Sequence, residues 1–189
     1  MKTLVHEDHN LLSEPCIPFS RLAPPMDAMQ LHDELLESMH HFGGVGLSSN
    51  QIGYKYKVFS MIHDDKDMVL YNPEIIEESE EMVIESEGCL SYPGLFVKMS
   101  RPKSVSASWE NADGQSFSGY FSDLSARIFL HEMDHMDGIA FYQDAKKIHM
   151  LSARRKRKAN LKKLQKFNPE LWQSHINNKK LKKDFQKTL

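Results

Sequence analysis

The chain has 189 residues, of which 40% are hydrophobic and 26% are charged. This length suits one compact domain with an appendage, and the composition argues against a wholly disordered chain. No run of about 18 apolar residues occurs, so a membrane span is not expected. Two cysteines do not make a disulfide framework, which predicts a reducing compartment. Residues 1–8 turn acidic before any apolar stretch develops, unlike a signal peptide, and we therefore predict a cytoplasmic location.

Charge is distributed unevenly along the chain. Residues 1–145 hold 9 Lys+Arg and 24 Asp+Glu, a balance of −15. Residues 146–189 hold 15 Lys+Arg and 2 Asp+Glu, a balance of +13. An acidic body with a basic tail predicts chemistry in the body and an anionic partner for the tail. We therefore divide the chain into a catalytic domain, 1–145, and a basic helical tail, 146–189.

The first two thirds of the chain predict one helix followed by many short strands. Residues 1–24 form an irregular arm interrupted by prolines. Residues 26–42 repeat apolar side chains at a helical rhythm that ends at Gly43-Gly44. Extended segments follow, and the acidic stretch 74–81 is expected to separate two of them. The predicted strands are 45–49, 57–62, 68–71, 82–86, 95–99, 104–110 and 115–121.

The rest of the chain is predicted to be helical. Ser122 is expected to cap a helix that ends at Gly138. A charged helix over 145–167 is broken at Asn168-Pro169, and the weakly periodic residues beyond are expected to fray. Because the strands do not alternate with crossover helices, we predict the α+β class with antiparallel β-sheets.

The most informative segment is residues 131–135, which read H-E-M-D-H. On an α-helix, His131 and His135 lie on one face about 6 Å apart along the axis, so their imidazoles can share one metal ion. Glu132 can reach a water activated by that ion without being a ligand, and can then shuttle a proton. The alternative is a solvated helix that carries this pattern by chance.

A third ligand must come from elsewhere in the chain. One branch of zinc proteases takes a histidine at the position of Phe141, whose hydrocarbon ring cannot bind an ion. Another branch takes a downstream glutamate, but Glu170 follows a proline inside the basic tail. Cys89 is the better candidate, because a cysteine and two histidines leave one coordination position open, as in catalytic sites. The alternative for Cys89 is a small buried hydrophobic residue.

Three segments along the chain resemble the motifs of one enzyme family. Residues 44–51 read G-V-G-L-S-S-N-Q, residues 87–91 read E-G-C-L-S, and residues 131–135 complete the set. In this order they resemble the peptide deformylase motifs G-x-G-L-A-A-x-Q, E-G-C-L-S and H-E-x-D-H. The resemblance spans roughly residues 24–142 and does not cover the tail.

The resemblance implies an α+β fold in which antiparallel β-sheets surround a central metal-binding helix. It implies metal-dependent hydrolysis of the formyl group from the N-terminal formyl-methionine of nascent polypeptides, with release of formate. Cys89, His131 and His135 would hold one ion per chain. That ion is usually Fe²⁺ in the family, with Zn²⁺ or Ni²⁺ as substitutes, and the ligand types suit either iron or zinc.

The resemblance also implies roles for residues around the ion. Glu132 would be the general base and then the general acid, while Gln51 and the backbone N–H of Leu90 would bind the oxyanion. Methionine needs an apolar pocket, and Leu124 and Ile128 share a helix face that suits a pocket wall or ordinary core equally well. The residues expected to bind substrate are Gly44, Val45, Gly46, Leu47, Gly88, Leu124 and Ile128.

The chain departs from the family pattern at a few positions. Ser48-Ser49 replace two alanines, a change of similar size that is tolerated if the hydroxyls find partners. Leu130 stands where many members carry glutamine, and Leu95-Phe96 stand where many bacterial members place an arginine near the substrate path. Peptide preference is therefore expected to differ, whereas the ligands, the base and the oxyanion donor are retained.

The tail contains a dense run of cations over residues 154–158. It lacks the apolar stripe of a membrane-binding helix, so no membrane contact is expected. Because some family members dock a C-terminal helix on the ribosome, the resemblance implies contact with the ribosome or its RNA. The alternative is that Leu161, Leu164 and Phe167 pack back on the body.

Two rival functions belong to other classes. One is a zinc endopeptidase, which shares the two histidines but lacks an obvious third ligand here. The other is a nucleic-acid-binding protein with a vestigial metal site, an interpretation that rests on the basic tail. Deformylation is preferred because three motifs coincide in order.

Overall fold

The architecture is taken from a computed structural model that describes residues 1–187, with side chains through Lys180. Residues 188–189 of the predicted tail lie outside the described residues. The helices are α1 (Ala28–His41), α2 (Asp123–Met136), α3 (Lys147–Phe167) and α4 (Pro169–Lys187). The strands are β1 (Gly46–Ser48), β2 (Val58–His63), β3 (Lys66–Glu78), β4 (Met82–Gly88), β5 (Phe96–Pro102), β6 (Ser104–Glu110) and β7 (Ser116–Ser122).

The strands form two antiparallel sheets. Five of them hydrogen-bond in the order β1-β2-β3-β6-β7, and β4 pairs with β5 in a separate sheet of two strands. Helix α2 contacts four strands of the larger sheet and also β5 of the smaller one. The predicted α+β class, with antiparallel sheets around a central helix, is therefore confirmed.

Helix α2 is the most deeply buried of the four α-helices, and residues 126–133 are all buried. Phe129 fixes it on the larger sheet, because its ring centroid lies 5.5 Å from that of Phe59 in β2 and 5.1 Å from that of Phe121 in β7. Buried polar groups need hydrogen-bond partners inside the protein. Several polar residues of α2 find such partners in neighbouring elements, whereas Nδ1 of His135 has none among the described residues.

Helix α1 begins at a capped end and packs by one face. The Asp27 carboxylate accepts a hydrogen bond of 2.9 Å from the backbone N–H three residues ahead, which satisfies a free donor of the first turn. Leu31, Leu35 and Met39 recur every fourth residue and are fully buried. After the helix, Gly43 has a φ of +67°, which turns the chain toward β1.

Three local predictions were wrong. Strand β3 continues through much of the acidic stretch, because Glu74 and Glu77 pair with β6 through their backbones while their side chains stay exposed. Ser122 lies at the N-cap position of α2, but its side chain makes no capping hydrogen bond. The residues beyond Pro169 form α4 instead of fraying.

The C-terminal helices lie against the body. Ala153 of α3, and Leu171 and His175 of α4, are buried, and Leu164 packs against the core cluster that contains α1. Phe167 is 74% exposed, so the alternative in which these side chains pack on the body holds for Leu164 but not for Phe167. Among the described residues, no helix combines the length and apolar character needed to cross a membrane.

The two N-cap positions provide a matched stability test. We expect Asp27→Ala to lower the free energy of unfolding by about 1 kcal/mol, because it leaves a helix donor unsatisfied. Ser122→Ala should cost much less, since its hydroxyl caps nothing. Urea unfolding of both variants measures the difference, and equal losses would contradict the capping assignment.

Candidate metal centre

Three side chains from two parts of the chain converge at one point. The ligand atoms of Cys89, His131 and His135 all lie within 4.8 Å of one another. Cys89 Sγ is 3.2 Å from His135 Nε2, and the two imidazole centroids are 5.3 Å apart. One thiolate and two imidazoles fit a divalent ion that keeps a fourth position for water or substrate. Phe141, which stands at the third-histidine position of one protease branch, packs its ring on His131, with centroids 5.1 Å apart.

The backbone explains why these side chains meet. His131 and His135 project from one face of α2, one turn apart. Cys89 follows the last residue of β4, so the smaller sheet delivers its sulfur to the helix. Asn50 supports the far end of the helix, where its Nδ2 donates to the carbonyl oxygen of His135 at 2.8 Å.

Glu87 is the main anionic partner of the centre. Its Oε1 lies 2.8 Å from Nδ1 of His131, which directs Nε2 of that ring toward the cysteine. Arg101 of β5 donates two hydrogen bonds to the same carboxylate, at 2.7 and 3.1 Å, and Arg127 of α2 donates another at 2.8 Å. Burial alone would raise the pKa of Glu87, but hydrogen bonds from His131 and Arg101 lower it to about 2. The carboxylate is therefore an anion at neutral pH.

The two histidines have different electrostatic surroundings. Burial acts to lower the pKa of His131, but hydrogen bonds with Cys89 and Glu87, together with the charges of Cys89 and Glu132, raise it well above its ordinary value. Burial and the charge of His131 hold the pKa of His135 well below its ordinary value. Because a ligand imidazole must be neutral, an ion and a proton compete for His131, whereas His135 is already deprotonated.

Glu132 is a buried neighbour of these three candidate ligands. It is 3% exposed, and burial raises its pKa to about 7. Its Oε2 accepts a hydrogen bond from the Ser48 hydroxyl, one of the two serines that replace family alanines. A Cβ on Gly46 would lie 2.5 Å from Glu132 Oε1 and 2.8 Å from Ile128 Cγ2, so only glycine lets β1 approach the carboxylate this closely.

Gln51 is held with its NH₂ group toward the centre. Its Oε1 accepts from the backbone N–H of Ser48 at 2.8 Å, as part of a capping box on the short 3₁₀ turn Ser49–Ile52. Its Nε2 consequently lies 3.4 Å from Cys89 Sγ and donates to Ser91 Oγ at 3.0 Å. Ser48 of the first motif therefore fixes the orientation of the Gln51 amide, and Cys89 and Ser91 of the second motif accept from its NH₂ group.

These groups open into one cavity of about 380 Å³. The predicted residues on its wall are Gly44, Val45, Gly46, Gln51, Gly88, Cys89, Leu90, Leu124, Ile128, His131 and Glu132. Two predicted site residues, His135 and Leu47, do not line the cavity. Leu47 is fully buried in the core cluster around α1. Side chains alternate along β1, so a chain that turns Gly46 to the cavity turns the Leu47 side chain away. The prediction that Leu47 binds substrate therefore concerns its backbone.

Several supporting residues were not predicted. Glu87 stood inside a quoted motif, and its place two residues before the cysteine was the available signal for a ligand-orienting acid. Ser91 closes the same motif and now accepts from Gln51. Arg101 and Arg127 carry no local signal, because their partners are distant in sequence.

Comparison with known proteins decides the family. The family model for polypeptide deformylase matches residues 1–150, which include all three motifs and end near the start of α3. The chain belongs to this family. The deformylase is accordingly a metal-dependent hydrolase that removes the formyl group from the N-terminal methionine of nascent polypeptides.

Individual relatives agree. The chain is 35% identical over 124 residues to the peptide deformylase of Thermotoga neapolitana, covering 66% of this chain and 76% of that one. It is 42% identical over 113 residues to that of Pseudothermotoga lettingae, covering 60% of this chain and 66% of that one. Peptide deformylase 1B of Arabidopsis thaliana superposes with a TM-score of 0.74 at 30% identity, covering 88% of this chain and 93% of that one. The Thermotoga maritima enzyme gives a TM-score of 0.73 at 27% identity, covering 77% and 98%.

Replacing Glu87 by glutamine tests its role in orienting His131. Loss of such a partner typically lowers metal affinity about 10–100-fold, and we expect that range here. Removing the anion between two arginines should also destabilise the fold by about 3 kcal/mol. Chelator competition and urea unfolding measure the two effects.

The matched control is Glu85→Gln. Glu85 also bonds Arg127, but its side chain is 56% exposed, and it is not a partner of His131. Metal affinity should stay at the wild-type value in this variant. Equal affinities for the Glu85 and Glu87 variants would contradict the orienting role.

Proposed function

We propose that this chain deformylates nascent formyl-methionyl peptides at the centre formed by Cys89, His131 and His135. The observation that supports this most directly is the set of three ligand atoms within 4.8 Å of one another. Two of these residues, Cys89 and His131, line one cavity with Glu132 and Gln51. An acid, an amide donor and a ligand cluster in one apolar cavity are the parts that amide hydrolysis needs.

One ion per chain is proposed, with Fe²⁺ as the native ion and Zn²⁺ or Ni²⁺ as substitutes. The mixed sulfur and nitrogen ligands suit these ions, and the choice of iron rests on the likeness to the family. When bound, such an ion would lower the pKa of a water molecule and polarise the formyl oxygen. Anaerobic metal analysis of freshly prepared protein tests the choice.

Glu132 is proposed to move the proton. Its buried carboxylate takes a proton from the attacking water as the new C–O bond forms at the formyl carbon. It then gives the proton to the amine nitrogen as the C–N bond breaks, which releases formate and a free N-terminus. The Ser48 hydroxyl, bonded to Oε2, holds the carboxylate in place and acts as a positioning residue.

Gln51 and Leu90 are proposed to stabilise the oxyanion. The Gln51 amide is fixed by Ser48, so its NH₂ group does not need to reorganise as charge develops on the formyl oxygen. The backbone N–H of Leu90 is the second donor. Each such donor is typically worth about 3 kcal/mol of barrier.

The substrate is proposed to bind along β1. This strand lies at the edge of the five-stranded sheet, and among the described strands it pairs with β2 alone, so an extended peptide can add to its other side. The glycines Gly44, Gly46 and Gly88 let that peptide approach the backbone. Val45 and Leu124, which are 50% and 61% exposed, are proposed to contact the methionine side chain together with Ile128. The list of proposed substrate-binding residues is completed by the backbone of Leu47.

Two variants separate metal binding from proton transfer. Glu132→Gln should keep the metal but lose nearly all turnover, because an amide cannot accept the proton. Cys89→Ala should lose metal, because only two protein ligands remain. Metal content and formate release from a formyl-Met peptide measure both properties. Full activity of Glu132→Gln, or full metal occupancy of Cys89→Ala, would refute the assigned roles.

The deformylase is proposed to work in the cytoplasm, with 1–145 as the catalytic domain and 146–189 as a basic helical tail that contacts the ribosome or its RNA. Arg154, Arg155 and Lys158 on α3 are exposed, which supports an anionic partner. Arg157 is already engaged, because it donates to Glu7 and to the carbonyl of Pro93. The proposed contact surface is therefore the outer face of α3.

Ribosome contact predicts salt-dependent binding. Arg154→Gln with Arg155→Gln should weaken co-sedimentation with ribosomes and make the slope of log affinity against log salt shallower by about one per lost phosphate contact. Turnover of short formyl-Met peptides should not change. The control replaces two exposed cations of the body, Lys66 and Lys98, by glutamine and should leave ribosome binding unchanged. Binding that ignores salt, or equal weakening by the control pair, would contradict the proposal.

A further inference from the structure

The two C-terminal helices reach beyond the docking face proposed for them. The family match ends at residue 150, so most of α3 and all of α4 lie outside it. Three residues of this region nevertheless line the same cavity as the proposed metal centre: Leu164 of α3, Asn168 at the junction and Leu171 of α4. The pocket is therefore built partly from sequence that the family motifs do not cover.

Helix α3 is fastened to one rim of this cavity, the turn after Cys89. Arg157 Nε donates to the carbonyl of Pro93 at 3.1 Å, and Asn160 Nδ2 donates to the carbonyl of Gly94 at 3.0 Å. Gly94 has a φ of +75°, and a Cβ there would lie 3.0 Å from Leu161 Cγ. The helix thus packs on this turn as closely as its side chains allow.

The junction between α3 and α4 is fastened to the opposite rim, the glycine segment before β1. Asn168 Nδ2 donates to the carbonyl of Phe42 at 2.8 Å. Its Oδ1 accepts from the backbone N–H of Leu171 at 3.0 Å, which caps α4. A Cβ on Gly43 would lie 3.1 Å from Asn168 Nδ2. One amide therefore joins the start of α4 to the segment that leads into the proposed peptide-binding strand.

We propose that the α3–α4 pair completes the substrate site. Leu164 is a specificity-determining residue that contacts the formyl-methionyl peptide. Asn168 is a positioning residue that holds residues 43–46 in the position in which the peptide can pair with them. The half-buried Leu164 faces the cavity, whereas Leu171 is 6% exposed and belongs mainly to the core. This inference rests on the proposed function, because it takes a formyl-methionyl peptide as the occupant.

The contact between Leu164 and the peptide, called the Leu164 wall below, is tested by changing the size of this side chain. Leu164→Trp fills space, so we expect KM for formyl-Met-Ala-Ser to rise about tenfold with a smaller change in kcat. Leu164→Ala opens space, and should change the ratio of kcat/KM between formyl-Met-Ala-Ser and formyl-Met-Trp-Ser about threefold or more. Phe167→Ala, at an exposed position of the same helix, is the control and should match the wild type. The Leu164 wall is refuted if KM and kcat of both Leu164 variants equal those of this control with both peptides.

The positioning role is tested by Asn168→Asp beside Asn168→Ala. The aspartate keeps the oxygen that caps α4 but cannot donate to Phe42, whereas alanine loses both bonds. Both variants should raise KM several-fold, while only alanine should lower Tm appreciably. A wild-type KM in Asn168→Asp would overturn the role.

Binding of the product peptide Met-Ala-Ser by calorimetry is measured on the same proteins. If the metal-loaded wild type releases no formate, the proposed function fails, and weaker peptide binding by Leu164→Trp still supports the Leu164 wall. If the wild type is active but the variants at Leu164 and Asn168 change neither turnover nor peptide binding, the proposed role of the α3–α4 pair is wrong and the proposed function is unaffected.

Discussion

The structure depends on one buried carboxylate, that of Glu87. It lies on β4 of the smaller sheet, yet its partners come from β5 and from the central helix: Arg101, Arg127 and His131. Taking a carboxylate out of water is tolerable only when cations and donors surround it, and removing any of them leaves a charge uncompensated. The interaction that joins the smaller sheet to α2 is therefore also the one that sets the tautomer of His131, a proposed metal ligand. Fold stability and site geometry are coupled through the same two oxygens.

A second coupling links the residue proposed to carry the proton, Glu132, to the residue proposed to bind the oxyanion, Gln51. Ser48 offers its hydroxyl to Glu132 and its backbone N–H to Gln51, so one residue orients both groups. The alanine of the family motif can provide only the second of these contacts. The close approach that permits both is possible because Gly46 carries no side chain toward Glu132. The departure at Ser48 is thus a gain of a contact inside the site, at no cost in volume.

Sequence periodicity and motif spacing predicted the elements whose signals are local. The cluster of Cys89, His131 and His135 was found because two ligands share a helix and the third sits in a short motif. The long strand β3 was missed because its acidic side chains were taken as a break, although strand pairing requires only the backbone. The partners of Glu87 could not be found from sequence, since strand register and helix placement bring them together only in the folded chain.

The C-terminal helices show the same limit in another form. The face of α3 that meets the body carries Ala153, Arg157, Leu161 and Leu164, spaced three or four residues apart as on one side of a helix. Sequence periodicity did not indicate this face, because the side chains of Arg157 and the neighbouring Asn160 bind the body by donating to its backbone carbonyls and not through apolar contact. A search for apolar periodicity counts such positions as solvated. Since the cations proposed to meet the ribosome lie on the outer face, closing the cavity and docking on an anionic partner do not compete for the same side chains.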